Sequence, residues 1–195
     1  MRVRAGNPQI ERTRKAVLEA ASELLLERGF AGVTIDAVSS RSRVARSTIY
    51  RHWADLPALV TDAFARLAGA PPAAGDSGDV RADLLEVFGR LASGIQVAPS
   101  LQVLPSLADG AQRDTRLREV LAAFIYAQRE PARAVVRRGI SRGQIPEDTD
   151  VEWLLDAVGG PLFYRRLISH QKPDEPGFVE HLVDAALSAA RHQAG

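Results

Sequence analysis

The sequence predicts an all-α protein of about nine helices, and three observations lead there. Apolar residues recur at helical spacing, as in Val17, Ala20, Ala21, Leu24 and Leu25, and past residue 79 no stretch alternates apolar and polar residues as a strand does. Helix signals stand between the stripes, with Gly29 closing the first helix and Thr149 with Glu152 forming a capping box late in the chain. A run rich in Pro, Gly and small residues, GAPPAAGDSGD from Gly69 to Asp79, divides the chain into domains at 1–69 and 70–195.

Taken in order, residues 1–9 lack an apolar period, and their Arg2 and Arg4 read either as an arm for a minor groove or as a basic terminus with no role. The first helix begins near Ile10 and ends at Gly29. Phe30 and Val33 then turn inward to join Ile35, Val38, Val44 and Ile49, closing a three-helix core of about fifty residues that is marginal alone. Within it, VTIDAVSSRSRVARSTIYRHW, Val33 to Trp53, reads as two short helices and a tight turn. The first runs from Thr34, placed to cap it, to about Arg41, and Arg41 and Arg43 bracket the turn.

The second runs from about Ala45 to Trp53. Its period puts Ala45, Ile49 and Trp53 on one side and Ser47, Tyr50 and Arg51 on the other, with Arg46, Thr48 and His52 on the flanks. The apolar side suits burial in a small domain. The other gathers the hydrogen-bonding groups that reading a DNA groove requires, since Arg forks to guanine, and hydroxyls and phenols reach phosphates or base edges. From periodicity alone, an ordinary hairpin with a solvated polar face is the open alternative. A helix over 56–68, with Leu59, Val60, Ala63, Phe64 and Leu67 at helical spacing, links this head to the rest.

Helices are expected next over about Asp79–Val97, Pro99–Asp109, Asp114–Arg142, Asp150–Ser169 and Pro176–Gln193. Pro131 should kink the third, and such a kink opens a gap suited to a small-molecule pocket. In the fourth, Val151, Leu154, Leu155, Val158 and Leu162 form one stripe, while Trp153, Ala157, Pro161, Tyr164 and Ile168 lie away from it. The last helix sets Leu182, Ala185, Ala186 and Ala189 beside Val179, Val183, Leu187 and Ala190. Two faces on each helix predict a two-fold dimer through a four-helix bundle, a fully internal pair being the alternative.

Composition narrows the function classes. The chain has 195 residues and no cysteine, so disulfides, thiol switches and thiolate metal sites are excluded. No apolar run is long enough to span a bilayer, and no signal peptide is recognisable, which fits a cytoplasmic protein without a membrane partner. The net charge of +1 hides an asymmetry: residues 1–55 hold ten Lys or Arg against six Asp or Glu, giving +4 and leaving −3 for the remainder. The basic excess thus accompanies the helix-turn-helix, where phosphates would be met.

Residues from about Thr13 to Leu67 resemble the N-terminal domain of the tetracycline-repressor (TetR) family of bacterial regulators. The resemblance rests on RKAVLEAASELLLERGF, TIDAV, STIYRHW and ALVTDAFARL, and PLFYRRLIS is similar to the C-terminal half of many members. Three positions depart from the family pattern: Arg43 stands where glycine is usual in the turn, Ala45 where a serine cap is usual, and Leu56–Pro57 where a phosphate-holding lysine is common. The resemblance implies a three-helix DNA-binding domain followed by a helical effector-binding and dimerisation domain. It implies a homodimer through the last two helices on a roughly palindromic double-stranded operator, with the two heads about 34 to 36 Å apart or a related multiple.

Ser47, Tyr50, Arg51 and Arg46 are then the expected base-edge and nearby contacts, and Thr34, Thr48 and His52 the phosphate contacts. The implied pocket would take a hydrophobic or amphipathic effector, with Phe88, Leu91, Leu104, Leu107, Phe124, Tyr126, Trp153, Phe163 and Tyr164 as candidate walls and ordinary core as their other reading. No cofactor or metal is implied. His52, His170, His181 and His192 lack a nucleophile motif or metal-ligand spacing; His181 with Asp184 is an i, i+3 pair that could touch a metal, a solvated pair being its other and favoured reading. Competing classes are a helical adaptor that binds protein instead of DNA, and a small helical enzyme.

Overall fold

The computed structural model describes residues 8–71 and 73–193, so the arm suggested for Arg2 and Arg4 lies outside the described residues. Among the described residues the chain is all-α. Its helices are α1 Pro8–Arg28, α2 Ile35–Ser42, α3 Arg46–His52, α4 Leu56–Ala68, α5 Val80–Val97, α6 Ser100–Arg113, α7 Thr115–Gln128, α8 Glu130–Ser141, α9 Val151–Tyr164 and α10 Phe178–Gln193. A 3-10 turn covers Phe30–Gly32, and a π turn covers Arg165–Ser169.

The helices form two compact units, one of residues up to Gly69 with Pro99–Ile125, the other of Ala70–Ala98 with the residues from Tyr126 on. The division read from sequence was continuous at 69/70, whereas α6 and most of α7 join the first unit. Packing explains the difference. Val17, Leu24, Leu25, Val38, Ile49, Leu59 and Phe64 share one buried cluster with Val103, Leu107, Leu117 and Leu121. Three helices of this size leave apolar faces uncovered, and α4, α6 and α7 cover them. At the α6 contact Phe30 donates its N–H to Ser106 Oγ at 3.1 Å, and Gly110 leaves room for the Phe30 ring, into which a Cβ would run.

In the second unit α5, α8, α9 and α10 pack on one another, burying Leu84, Phe88, Val135, Val136, Leu154, Val158, Leu162 and Val183. The expected helix over 114–142 is two helices. Pro131 occupies the first turn of α8, where its missing N–H costs nothing, so it starts a helix and does not kink one.

The capping box is also corrected. Asp150 caps α9 by accepting the Trp153 N–H at 3.1 Å, and Glu152 turns instead to Arg133 at 2.6 Å. A carboxylate one residue later than Thr149 takes the cap, and a buried guanidinium competes better for Glu152 than a backbone donor does.

The run 69–79 is fastened to the second unit over its later part. Ala73 O accepts from Arg90 at 2.8 Å, Asp76 pairs with both terminal nitrogens of Arg142 at 2.7 and 3.0 Å, and buried Asp83 accepts the Ser77 hydroxyl at 2.7 Å.

Candidate nucleic-acid interface

The helix-turn-helix is built from local hydrogen bonds. Thr34 caps α2, its hydroxyl oxygen accepting from the Ala37 N–H at 3.1 Å. Arg43 closes α2 in the left-handed conformation, φ 57° and ψ 27°, which glycine adopts without strain and arginine does not. Two serines hold that turn: the Ser39 hydroxyl donates to Val44 O at 2.8 Å, and Ser42 Oγ accepts from Val44 N–H at 3.3 Å. Neither serine was singled out in the sequence, and only their spacing from the turn could have flagged them.

α3 begins at Arg46 with no side-chain cap from Ala45. Ala45 is exposed, against the expectation that it shares the buried side, because it precedes the first helical residue and falls off the stripe. Ile49 and Trp53 are buried as expected, at 0% and 4% exposure. The Trp53 indole N–H donates to Asp62 Oδ2 at 3.0 Å, and the same oxygen accepts from Arg14 at 2.8 Å, so α1 and α4 together fix the end of the reader helix.

The opposite face is open. Ser47, Tyr50 and Arg51 are exposed, Tyr50 at 55%, and Thr48 and His52 are half-buried on its flank. The neighbouring arginines differ sharply in what they touch. Arg41 grips both oxygens of Glu27 at 2.7 and 2.8 Å, and that hydrogen bonding holds the Glu27 carboxyl below its usual range. Arg46 pairs with Asp36 at 2.6 Å, although both remain more than 60% exposed. Arg43 and Arg51 have no partner among the described residues.

Asp55 stands just before α4 and ahead of Leu56 and Pro57. One carboxylate oxygen caps the helix at Ala58 N–H, 2.8 Å away, and the other accepts from Arg116 of α7 at 3.1 Å.

The candidate effector residues are not gathered in one unit. Leu104, Leu107 and Phe124 pack in or against the core of the first, where the Phe124 ring meets Phe64 edge-on at 5.3 Å. In the second unit Phe88 is buried, Leu91, Trp153 and Phe163 are half-buried, and Tyr164 is exposed. Tyr126 is exposed and lies under the Arg133 guanidinium at 3.7 Å.

On α9 and α10 the inner stripes Leu154, Leu155, Val158, Leu162 and Val179, Val183, Leu187 are buried. Tyr164, Ile168 and Ala185 are exposed, and Trp153, Ala157, Pro161, Leu182 and Ala189 are half-buried. Asp184 is held bidentate by Arg81 at 2.6 and 2.9 Å, and His181 Nδ1 faces the Gly177 carbonyl.

A short helix buried on one side, braced across α1 and α4, and presenting hydroxyl, phenol and guanidinium groups on the other defines a helix-turn-helix DNA-binding regulator. Comparison with known proteins agrees. Residues 17–62 match the family model for bacterial regulatory proteins of the tetR family, and residues 74–186 match the tetracyclin repressor-like C-terminal domain. An HTH-type transcriptional regulator of Bacillus subtilis strain 168, YdeS, is 33% identical over 98% of this chain and 96% of its own length.

The DNA-binding transcriptional repressor TetR of Mycobacteroides abscessus is 26% identical over 88% of this chain and 90% of its own. The crystal structure of the TetR family transcription regulator SCO0332 superposes with a TM-score of 0.65 at 34% identity, covering 91% of this chain and 97% of that one. The chain belongs to the TetR family of transcriptional regulators. Such regulators generally bind DNA as dimers, respond to ligands and are typically not enzymes.

Proposed function

We propose that the protein is a repressor that binds a roughly palindromic operator as a homodimer and leaves it when a hydrophobic or amphipathic small molecule binds. The observation that carries this reading is the open face of α3, where Ser47, Tyr50 and Arg51 stand outward over a buried Ile49. Those three residues and Arg46 meet base edges and their surroundings; Thr34, Thr48 and His52 meet phosphates. Arg46 has to exchange Asp36 for DNA to do so, a small cost for an exposed pair.

The partner copy docks on α9, the turn after it and α10, where Pro161, Tyr164, Ile168 and Leu182 face away from the core. The effector binds among apolar side chains of the second unit, with Phe88, Leu91, Trp153 and Phe163 as walls, and it switches the protein only by preferring the state that does not fit DNA. No helix among the described residues is long and apolar enough to cross a membrane, and a cytoplasmic site of action suits a DNA ligand.

Selection of an operator from random duplexes, followed by affinity measurement across a salt series, tests the reading. Enrichment of a two-fold symmetric sequence bound by two copies is expected. Equal, salt-insensitive association with every duplex would overturn it in favour of a protein-binding adaptor.

A further inference from the structure

We propose that the cleft between the start of α1 and the turn before α3 seats a backbone phosphate, with Arg43 as its principal cation. The proposal rests on the DNA-binding reading above and adds a site to it. The cleft measures about 720 Å³, and its polar lining is Arg43, Arg51, Thr48, His52, Thr13 and Gln9, with no carboxylate among its residues.

Several arginines nearby are already committed to carboxylates. Arg14 sits on Asp62 at 2.8 Å, Arg41 on Glu27 at 2.7 Å, Arg46 on Asp36 at 2.6 Å and Arg66 on Glu19 at 2.9 Å. Arg43 and Arg51, the two guanidiniums lining the cleft, have no carboxylate partner among the described residues. The Thr48 hydroxyl beside them has no side-chain partner among the described residues either, whereas Thr13 donates to Gln9 O at 2.9 Å and keeps its lone pairs for a donor, not for an anion. Arg43 and Thr48 therefore form the anion-facing part, and Arg51 stands at its border with the reading face.

Arg43 also carries a conformational cost. Its backbone lies at φ 57°, and the turn that forces it there is held by Ser39 and Ser42, not by the arginine side chain. Glycine would fit that turn without strain, and the Arg43 side chain makes no hydrogen bond or ion pair among the described residues. A guanidinium fork matches two phosphate oxygens, so the strained residue presents the group a phosphodiester needs. The cleft shares Arg51 with the outward face of α3. When that face enters a groove, the strand bordering the groove supplies the phosphate. Inorganic phosphate offers the same oxyanion in free form.

The test uses the full-length protein, its selected operator and an unrelated duplex, with affinities measured across a salt series for the parent, Arg43→Gly, Arg43→Lys and Tyr50→Ala. Arg43→Gly is expected to weaken both duplexes by the same factor, about tenfold, and to lower the salt slope by about 1. Arg43→Lys should keep the slope, and Tyr50→Ala should weaken the operator more than the unrelated duplex. A thermal midpoint of Arg43→Gly at or above the parent's verifies folding, because glycine relaxes the turn.

Unchanged affinity and slope in Arg43→Gly, with operator affinity still lost in Tyr50→Ala, overturns the seat and leaves the DNA reading standing. Absence of salt-dependent duplex binding in the parent overturns both. An Arg43-dependent rise in thermal midpoint with inorganic phosphate at matched ionic strength, without any change in duplex binding, assigns the cleft to the free ion and overturns the backbone assignment.

Discussion

Arg133 in α8 and Arg43 in the turn before α3 carry the same group into opposite surroundings. Arg133 is 1% exposed and donates to Glu152 at 2.6 Å, to Glu130 at 2.7 Å and to Tyr126 O at 3.2 Å, with the Tyr126 ring beneath it. The Glu152 hydrogen bond pushes its proton affinity up and holds Glu152 below the usual carboxylate range. Arg43 is exposed and unpaired among the described residues.

The same contrast runs through the two regions. In the second unit Arg81, Arg142 and Arg165 are matched to Asp184, Asp76 and Glu175, while the reading surface keeps two arginines unmatched. A buried guanidinium has to be paired where it stands, because desolvation is costly, whereas one at the surface loses little by waiting for an external anion.

The largest effect expected from breaking this comparison is on the buried side. Arg133→Ala should lower folding stability by about 3 kcal/mol, from lost packing and lost pairing, read as a drop in the urea midpoint. Arg133→Met, which refills the volume without a charge, should recover at least half of that. Neither variant should change operator affinity in the folded protein.

On the open side the effects move to binding. Tyr50→Ala should cost about 1 to 3 kcal/mol of operator affinity with no change in stability, measured by titration and thermal melting on the same samples. Arg46→Ala should cost less, about 1 kcal/mol, since part of its interaction with DNA replaces the Asp36 pair. Equal affinity of all three proteins would reject α3 as the reader.

Acid should affect the paired region through its carboxylates. Hydrogen bonds from Arg133, Arg142 and Arg81 hold Glu152, Asp76 and Asp184 below their ordinary values. Groups with depressed folded values contribute fully above the ordinary carboxylate range, about pH 4, and lose that contribution as the pH falls through the folded value. Stability should therefore rise with pH in that window, and Arg142→Gln should flatten the slope, followed by far-UV circular dichroism. The smallest effect has the opposite sign to Arg133→Ala: Arg43→Gly should raise stability by about 0.5 kcal/mol, strain relief being partly cancelled by the greater freedom of glycine in the unfolded chain.

Elements with strong local signals were legible. The expected helix 56–68 matches α4, with Asp55 capping it, Pro57 in its first turn and Gly69 beyond its end at φ 74°. The two faces of α3 followed from its period, apart from Ala45. Pro131 was ambiguous, since proline both kinks a helix and suits its first turn, and the choice fell to packing. The pairing of Arg46 with Asp36, of Arg41 with Glu27 and of Glu152 with Arg133 was not legible, because each joins residues that only the folded chain brings together.

The amino-acid order by itself determined an all-helical chain, the position of the reader helix and which of its side chains turn inward, because helical period and caps act over a few residues. Tertiary structure alone decided that α6 and α7 complete the first core, that Pro131 begins a helix, and which arginines are neutralised and which are left open. Those outcomes depend on distances between residues far apart in the chain, and burial and charge pairing are set by those distances.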